Sequence, residues 1–307
     1  MLTGRTGGWR DPGGDLGPLR ASAARKLSAF TLSPGRFVTS AYLAGVAIAF
    51  VYMAAIAVRV RVAAVAPGAE DLAAPAVVAS GLSAAVLLAR LDLSVGMGAL
   101  LAICRLERQG RTNLCAAAVV VCAAANLLGS ASVAALMAHA GLLEGLLPTL
   151  AELSARRMVV PARQLLLQGL LGGWWLGLVV LVAALPREPR WRTAVIGGGL
   201  FLFVASGFRL ASVDAALNVP VWVGRAAHGA GGRHLLALLA WVTAGNLVGA
   251  AVLGGGLLWL ATSEPGQEKA APPAPERGAP PGPPAVRMRP VIARPAGVVR
   301  VPWASPR

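Results

Sequence analysis

Six apolar runs divide the middle of the chain, at approximately 37–58, 73–104, 113–138, 160–185, 193–224 and 234–261. Each contains the ~17–25 consecutive apolar residues that a helix needs to cross the ~30 Å hydrocarbon core of a bilayer. The chain therefore reads as an all-α membrane protein with six transmembrane helices. Its composition agrees: 13% of residues are charged, against about 25% in a soluble domain. The first run is too long, and its leader too extended, for a secretory signal peptide.

The flanks differ from this core. Residues 1–35 are Gly/Arg-rich and are expected to form a disordered basic arm, residues 36–261 the transmembrane domain, and the Pro-rich residues 262–307 a disordered tail. Basic residues set the orientation. Arg5, Arg10, Arg20, Arg25, Lys26 and Arg36 precede the first run, and further clusters lie at 105–111, at 187–192 and in the tail. The alternate loops hold only Arg59, Arg61, Arg156, Arg157, Arg163, Arg225 and Arg233. The positive-inside rule thus places both termini in the cytoplasm, in a multi-pass protein of the cell's inner (plasma) membrane. A pI near 11.6 then reflects basic segments beside a lipid bilayer, with no nucleic-acid partner implied.

An internal repeat runs beneath the six spans. "NLLG" at 126–129 recurs as "NLVG" at 246–249, "LSV" at 93–95 is echoed by "ASV" at 211–213, and the Pro34…Gly45 spacing recurs as Pro161…Gly172. Two repeats of three spans must face opposite ways, because three is odd; this is the inverted-repeat arrangement of many transporters.

The second and fifth runs are too long for one span, and both carry charge in their middle. "LLARLDLSVGMGALL" (87–101) holds Arg90 and Asp92; "FVASGFRLASVDAALNVP" (203–220) holds Arg209 and Asp214. A charge at mid-bilayer costs at least about 2.5–3.5 kcal/mol and is normally paired or turned to water. Gly96, Gly98 and Gly207 let the backbone leave helical geometry. Such backbone is tolerated at depth only where it is packed in protein or lines a cavity. Two interrupted helices are expected, their half-helix N-termini suited to an anion. The four charges either contact the permeant ion or tie the broken helices together as ion pairs.

At these residues the sequence resembles the formate/nitrite transporter family. "FVASGF" at 203–208 is similar to the family's fifth-helix motif, which ends at a proline such as Pro220. "RLDLSVG" at 90–96 resembles the acidic-Leu-Phe-Thr loop that interrupts the second helix. "AANLLGS" and "TAGNLVGAAVLGG" look like the Gly-Asn-Leu-Ile-Gly motifs of helices three and six, and "RRMVVPARQLLLQGLLGGWWLGLVV" follows the fourth-helix pattern. The resemblance covers 26–261. It implies an aquaporin-like fold with broken helices two and five, a homopentamer with one pore per protomer, and passage of small monovalent anions.

Residue by residue, the resemblance puts the family's central histidine on Leu210, with Ala211 as the other equivalent and Ser212 beyond it, and the preceding glutamate on Arg209. The fourth-helix asparagine falls on Gly173. The loop positions of helix two fall on Asp92, Leu93, Ser94 and Val95. Phe203 matches the outer aromatic constriction, Ala79 and Ser83 take the inner one, and Arg157 keeps the basic vestibule charge. A leucine cannot donate a proton, whereas Arg209 supplies a permanent charge. The expectation is an anion pathway in which Arg209, balanced by Asp92 or Asp214, replaces the titrating histidine.

Asn126 and Asn246 sit beside Gly129 and Gly249 and read as helix–helix hydrogen bonders where small residues allow close contact. Cys104, Cys115 and Cys122 lie in apolar runs and read as small core hydrophobes. His139, His228 and His234 are scattered, so no metal site is expected. The chain shows no phosphate loop, nucleophile elbow or zinc motif; neither an enzyme nor a cofactor is indicated. The functional expectation is a channel or transporter for formate, nitrite or a similar monocarboxylate. The alternative is a non-conducting or regulatory membrane protein that retains the fold.

Overall fold

Proline, glycine and charge mark out the helices, and the apolar faces between them form the bundle. The computed structural model describes residues 17–88, 112–184, 188–225 and 232–253, and every element among them is helical. In chain order these are α1 (Gly17–Leu32), α2 (Pro34–Val65), α3 (Glu70–Leu88), α4 (Thr112–His139), a 3-10 turn (Glu144–Leu146), α5 (Leu147–Met158), α6 (Ala162–Ala184), α7 (Pro189–Ala205), α8 (Ala211–Arg225) and α9 (Gly232–Val248). A π turn, Gly249–Leu253, follows α9. Among the described residues, α2, α3, α4, α6 and α9 with its extension are long and apolar enough to cross a membrane.

Pro34 opens α2, its fixed φ suiting the first helical turn. At 32 residues the helix is about 48 Å long at ~1.5 Å per residue, longer than the bilayer core. The end beyond the expected 37–58 carries Arg59, which pairs with Asp71 at 3.1 Å. The turn between them holds Gly68 at φ 92°. Glu70 and Asp71 then occupy the first turn of α3, where the helix dipole favours acids. Gly141, at φ 71°, ends α4, and the Leu142 amide reaches back to the Met137 carbonyl at 3.1 Å. This is the hydrogen bond of a Schellman stop.

Two helix pairs repeat one contact. In the first pair, a Cβ on Gly45 of α2 would overlap the Asn126 carbonyl of α4, and one on Gly129 would overlap the Tyr42 carbonyl. In the second, a Cβ on Gly173 of α6 would overlap the Asn246 carbonyl of α9, and one on Gly249 the Leu170 carbonyl. Asn126 donates to the Ala41 carbonyl at 2.6 Å, and Asn246 to the Gly169 carbonyl at 2.8 Å. The equivalent of Gly45 is therefore Gly173. The Gly45–Gly172 pairing expected from the proline spacing is out by one residue, because Pro161 lies just outside α6 whereas Pro34 lies inside α2.

The fifth apolar run is divided: α7 stops at Ala205 and α8 starts at Ala211. Gly207 takes φ 70°, its amide bonds the Val204 carbonyl at 3.0 Å, and the Phe208 amide bonds the Phe203 carbonyl at 3.3 Å. Such a stop needs a left-handed residue, which glycine adopts without a Cβ penalty. The matching interruption expected in the second run, with Arg90, Asp92, Leu93, Ser94, Val95, Gly96 and Gly98, lies outside the described residues.

Two further expectations are corrected. Gly17–Leu32 is helical, not part of a disordered arm. Its Ala/Leu-rich sequence buries Leu27 and sets Phe30 edge-on to Phe37, ring centroids 5.3 Å apart. Cys115 is more than a small hydrophobe, being disulfide-bonded.

Candidate functional site

The interruption between α7 and α8 leaves backbone groups that no helix satisfies, and Asn246 supplies them. Its Oδ1 accepts from the Ala211 amide at 3.0 Å, and its Nδ2 donates to the carbonyls of Arg209 and Gly169, both at 2.8 Å. One carboxamide on α9 thus spans the break and also ties it to α6. On the α4 side, the Ser130 hydroxyl donates to the Ser212 carbonyl at 2.6 Å. These bonds permit non-helical backbone at this depth.

Three charges converge beside the break. Asp214 stands in the first turn of α8, fully buried, and its negative charge suits the positive end of that half-helix. Arg157, in the last turn of α5, donates from Nη1 to Asp214 Oδ1. Arg209 lies within the break itself, with Nε 3.4 Å from Asp214 Oδ2. Its Nη2 donates to the Arg157 carbonyl at 3.4 Å. The Arg157 side chain is 25% exposed, whereas that of Arg209 is 4% exposed. One guanidinium is therefore partly exposed and the other is not.

The cluster is anchored further down α8. Asn218 donates to the Asp214 carbonyl at 2.7 Å and accepts from the Ser154 hydroxyl of α5 at 2.8 Å. Ser154 and Arg157 therefore fasten the short helix α5 along α8. Tyr52 of α2 is buried within electrostatic reach of both Arg157 and Asp214.

Within this cluster, Arg209 Nη1 and Asp214 Oδ2 are buried and have no hydrogen-bond partner among the described residues. Among the described residues, two arginines against one carboxylate give the cluster one surplus positive charge. Among the described residues Arg209 and Asp214 are the only buried charged side chains. An unpaired buried donor on a permanent cation attracts an acceptor carrying negative charge.

The other sequence-derived residues divide into two groups. Ala79, Phe203 and Leu210 share one buried apolar cluster with Tyr52, Leu176, Val213 and Leu217. Phe203 lies beside Phe208, ring centroids 6.0 Å apart, and Phe208 beside Trp175 at 6.3 Å. Ser83 is buried, its hydroxyl without a hydrogen-bond partner among the described residues, and faces Gly197 of α7. Ala211 and Ser212 are buried at the start of α8. Gly173 is pressed against the Asn246 backbone, whereas its neighbour Gly172 faces the Arg209 carbonyl and the Phe203 ring. Asn126 belongs to the α2–α4 contact.

Sequence reasoning missed Tyr52, Asn218 and Ser154. The first is one of only two tyrosines in the chain and lies inside an apolar run, which was a usable clue. The other two carry none until α5 is laid against α8.

The family model for the formate/nitrite transporter matches residues 19–260 of this chain. A solved FNT family ion channel superposes with a TM-score of 0.69 at 23% identity, covering 81% of this chain and 98% of its own. A pentameric formate channel with formate bound gives a TM-score of 0.59 at 19% identity, over 78% and 98% respectively. At these identities the likeness is one of fold. A comparison with curated proteins returned no match. The family model extends from α1 to beyond α9 and takes in both repeated contacts and the interrupted helix: the chain belongs to the formate/nitrite transporter family.

Proposed function

We propose that this protein conducts a small monovalent anion, such as formate, nitrite or a similar monocarboxylate, across the plasma membrane as a homopentamer. The observation that carries the reading is the surplus positive charge beside the broken helix among the described residues, with Arg209 Nη1 buried and unpartnered there. The similar pentameric formate channel with formate bound supports both the substrate class and the assembly. The clustering of basic residues supports cytoplasmic termini.

The chemistry proceeds from the water-facing end. Arg157, a quarter exposed, draws the anion in, since a charged wall raises the local concentration of its counter-ion. Arg209 then offers its free donor at the break. Beyond it the anion passes the apolar surface of Leu210 and Phe203. A guanidinium is not deprotonated in the range where an imidazole titrates, so Arg209 supplies no protonation switch near neutral pH.

Formate uptake into proteoliposomes tests this directly. Wild-type protein is expected to carry formate above the level of empty vesicles, with a shallow pH dependence, and Arg209→Ala to lose most of that flux. A rise of about tenfold on acidification, centred near the ~6.5 of an ordinary imidazole, would count against a guanidinium-based centre.

One feature favours a second reading, a non-conducting or regulatory protein on the same fold. The resemblance sets the family's central histidine on Leu210 or Ala211; both are buried, and neither can donate or accept a proton. Formate uptake no faster than in empty vesicles would select that reading.

A further inference from the structure

We propose that Asp214 sets the valence of the anion this centre accepts: it holds the surplus charge at one and so admits monovalent anions while rejecting divalent ones. The inference rests on the anion-pathway reading above and assigns the selectivity of that pathway to one carboxylate.

The geometry identifies both the residue and the atom it leaves free. Asp214 Oδ1 is taken by Arg157 and Oδ2 lies 3.4 Å from Arg209 Nε, while Arg209 Nη1 has no hydrogen-bond partner among the described residues. The carboxylate acts as a tethered counter-ion that neutralises one guanidinium and leaves the second with a single open donor. In a low-dielectric interior, uncompensated charge is costly. A monovalent anion at Nη1 brings the cluster to neutrality. A dianion would overshoot and leave a buried negative charge beside the Asp214 carboxylate. Without the Asp214 charge two guanidinium groups remain, and a dianion becomes the matching ligand. Asp214 touches no permeant ion in this account; it acts through the two arginines as a positioning and charge-setting residue.

The probe is oxalate, a small dianion at neutral pH, used as a competitor of formate uptake in proteoliposomes. Wild-type uptake is expected to be nearly indifferent to oxalate. Asp214→Asn keeps the side-chain shape and removes the charge, so oxalate should inhibit at a concentration at least about tenfold lower. The double variant Asp214→Asn/Arg157→Gln returns the cluster to one surplus charge and should regain the wild-type indifference, an outcome that a merely structural role for Asp214 would not produce. Equal oxalate sensitivity in wild type and Asp214→Asn overturns the proposal, as does a double variant that stays sensitive. If Asp214→Asn does not fold, Arg157→Gln alone decides. Its cluster is neutral, so the half-saturating formate concentration should rise about tenfold, and an unchanged value overturns the proposal.

If the wild type carries no formate at all, the anion-pathway reading fails by itself. The charge assignment is then read from binding, as the rise in Tm that oxalate gives detergent-solubilised Asp214→Asn but not wild type. Equal shifts in the two would overturn it.

Discussion

Asn246 uses both of its N–H groups and its carbonyl oxygen on three backbone partners in two elements. Truncation to alanine would strand the Ala211 amide and the carbonyls of Arg209 and Gly169 in the interior. Each buried group left unpaired costs about 1–3 kcal/mol. Asn246→Ala is therefore expected to lower Tm in detergent sharply, and Asn126→Ala to do so as well through the Ala41 carbonyl. Asp214→Ala should destabilise by about 3 kcal/mol, the low end for a broken buried pair because Arg157 is partly solvated. Formate should restore part of the loss by occupying the freed arginines. At this scale the sequence was half legible. Repetition of Asn-Leu-x-Gly marked both asparagines, and burial of charge marked Arg209 and Asp214. The second task of Asn246, holding a break 35 residues away, depends on where α9 lies and leaves no local trace. The same holds for Arg157, which read as a vestibule charge and lies bonded to Asp214.

Glycine spacing shapes the elements, and the variants that test it differ in kind. Gly207 is held at φ 70° with open space where a Cβ would go. The cost of Gly207→Ala is thus backbone strain alone, about 1–2 kcal/mol, with the break preserved. Gly173→Ala meets the Asn246 carbonyl and must push α6 and α9 apart, costing typically 1–3 kcal/mol. Its repeat equivalent, Gly45→Ala, should cost a similar amount, whereas Gly35→Ala, with nothing nearby, should be neutral. A Tm series on these four variants checks the ranking. Five spans among the described residues were readable from apolar length, and the break from a glycine just ahead of two buried charges. Helix α1 was not, since its Arg and Lys mask an Ala/Leu-rich stretch, nor was α5. That helix has only 12 residues, and it matters because it brings Ser154 and Arg157 to α8.

Across the whole molecule, the α2–α4 and α6–α9 contacts are built alike from residues that share little sequence beyond Asn and Gly. That economy explains how the repeat was visible at Asn126 and Asn246 yet misaligned by one residue at Gly172. Close helix approach constrains only the few positions where backbones touch. The reconstituted protein is expected to run as a five-chain species in native mass spectrometry, and a monomer that still carried formate would remove the pentamer from the proposal. The carboxamide of Asn246 acts as a keystone: it ties α6, α9 and the gap between α7 and α8 together with no donor to spare. Beside it, Ser154 and Arg157 clamp the slender α5 to α8, so the one partly exposed guanidinium of the centre is held at a fixed distance from the buried one.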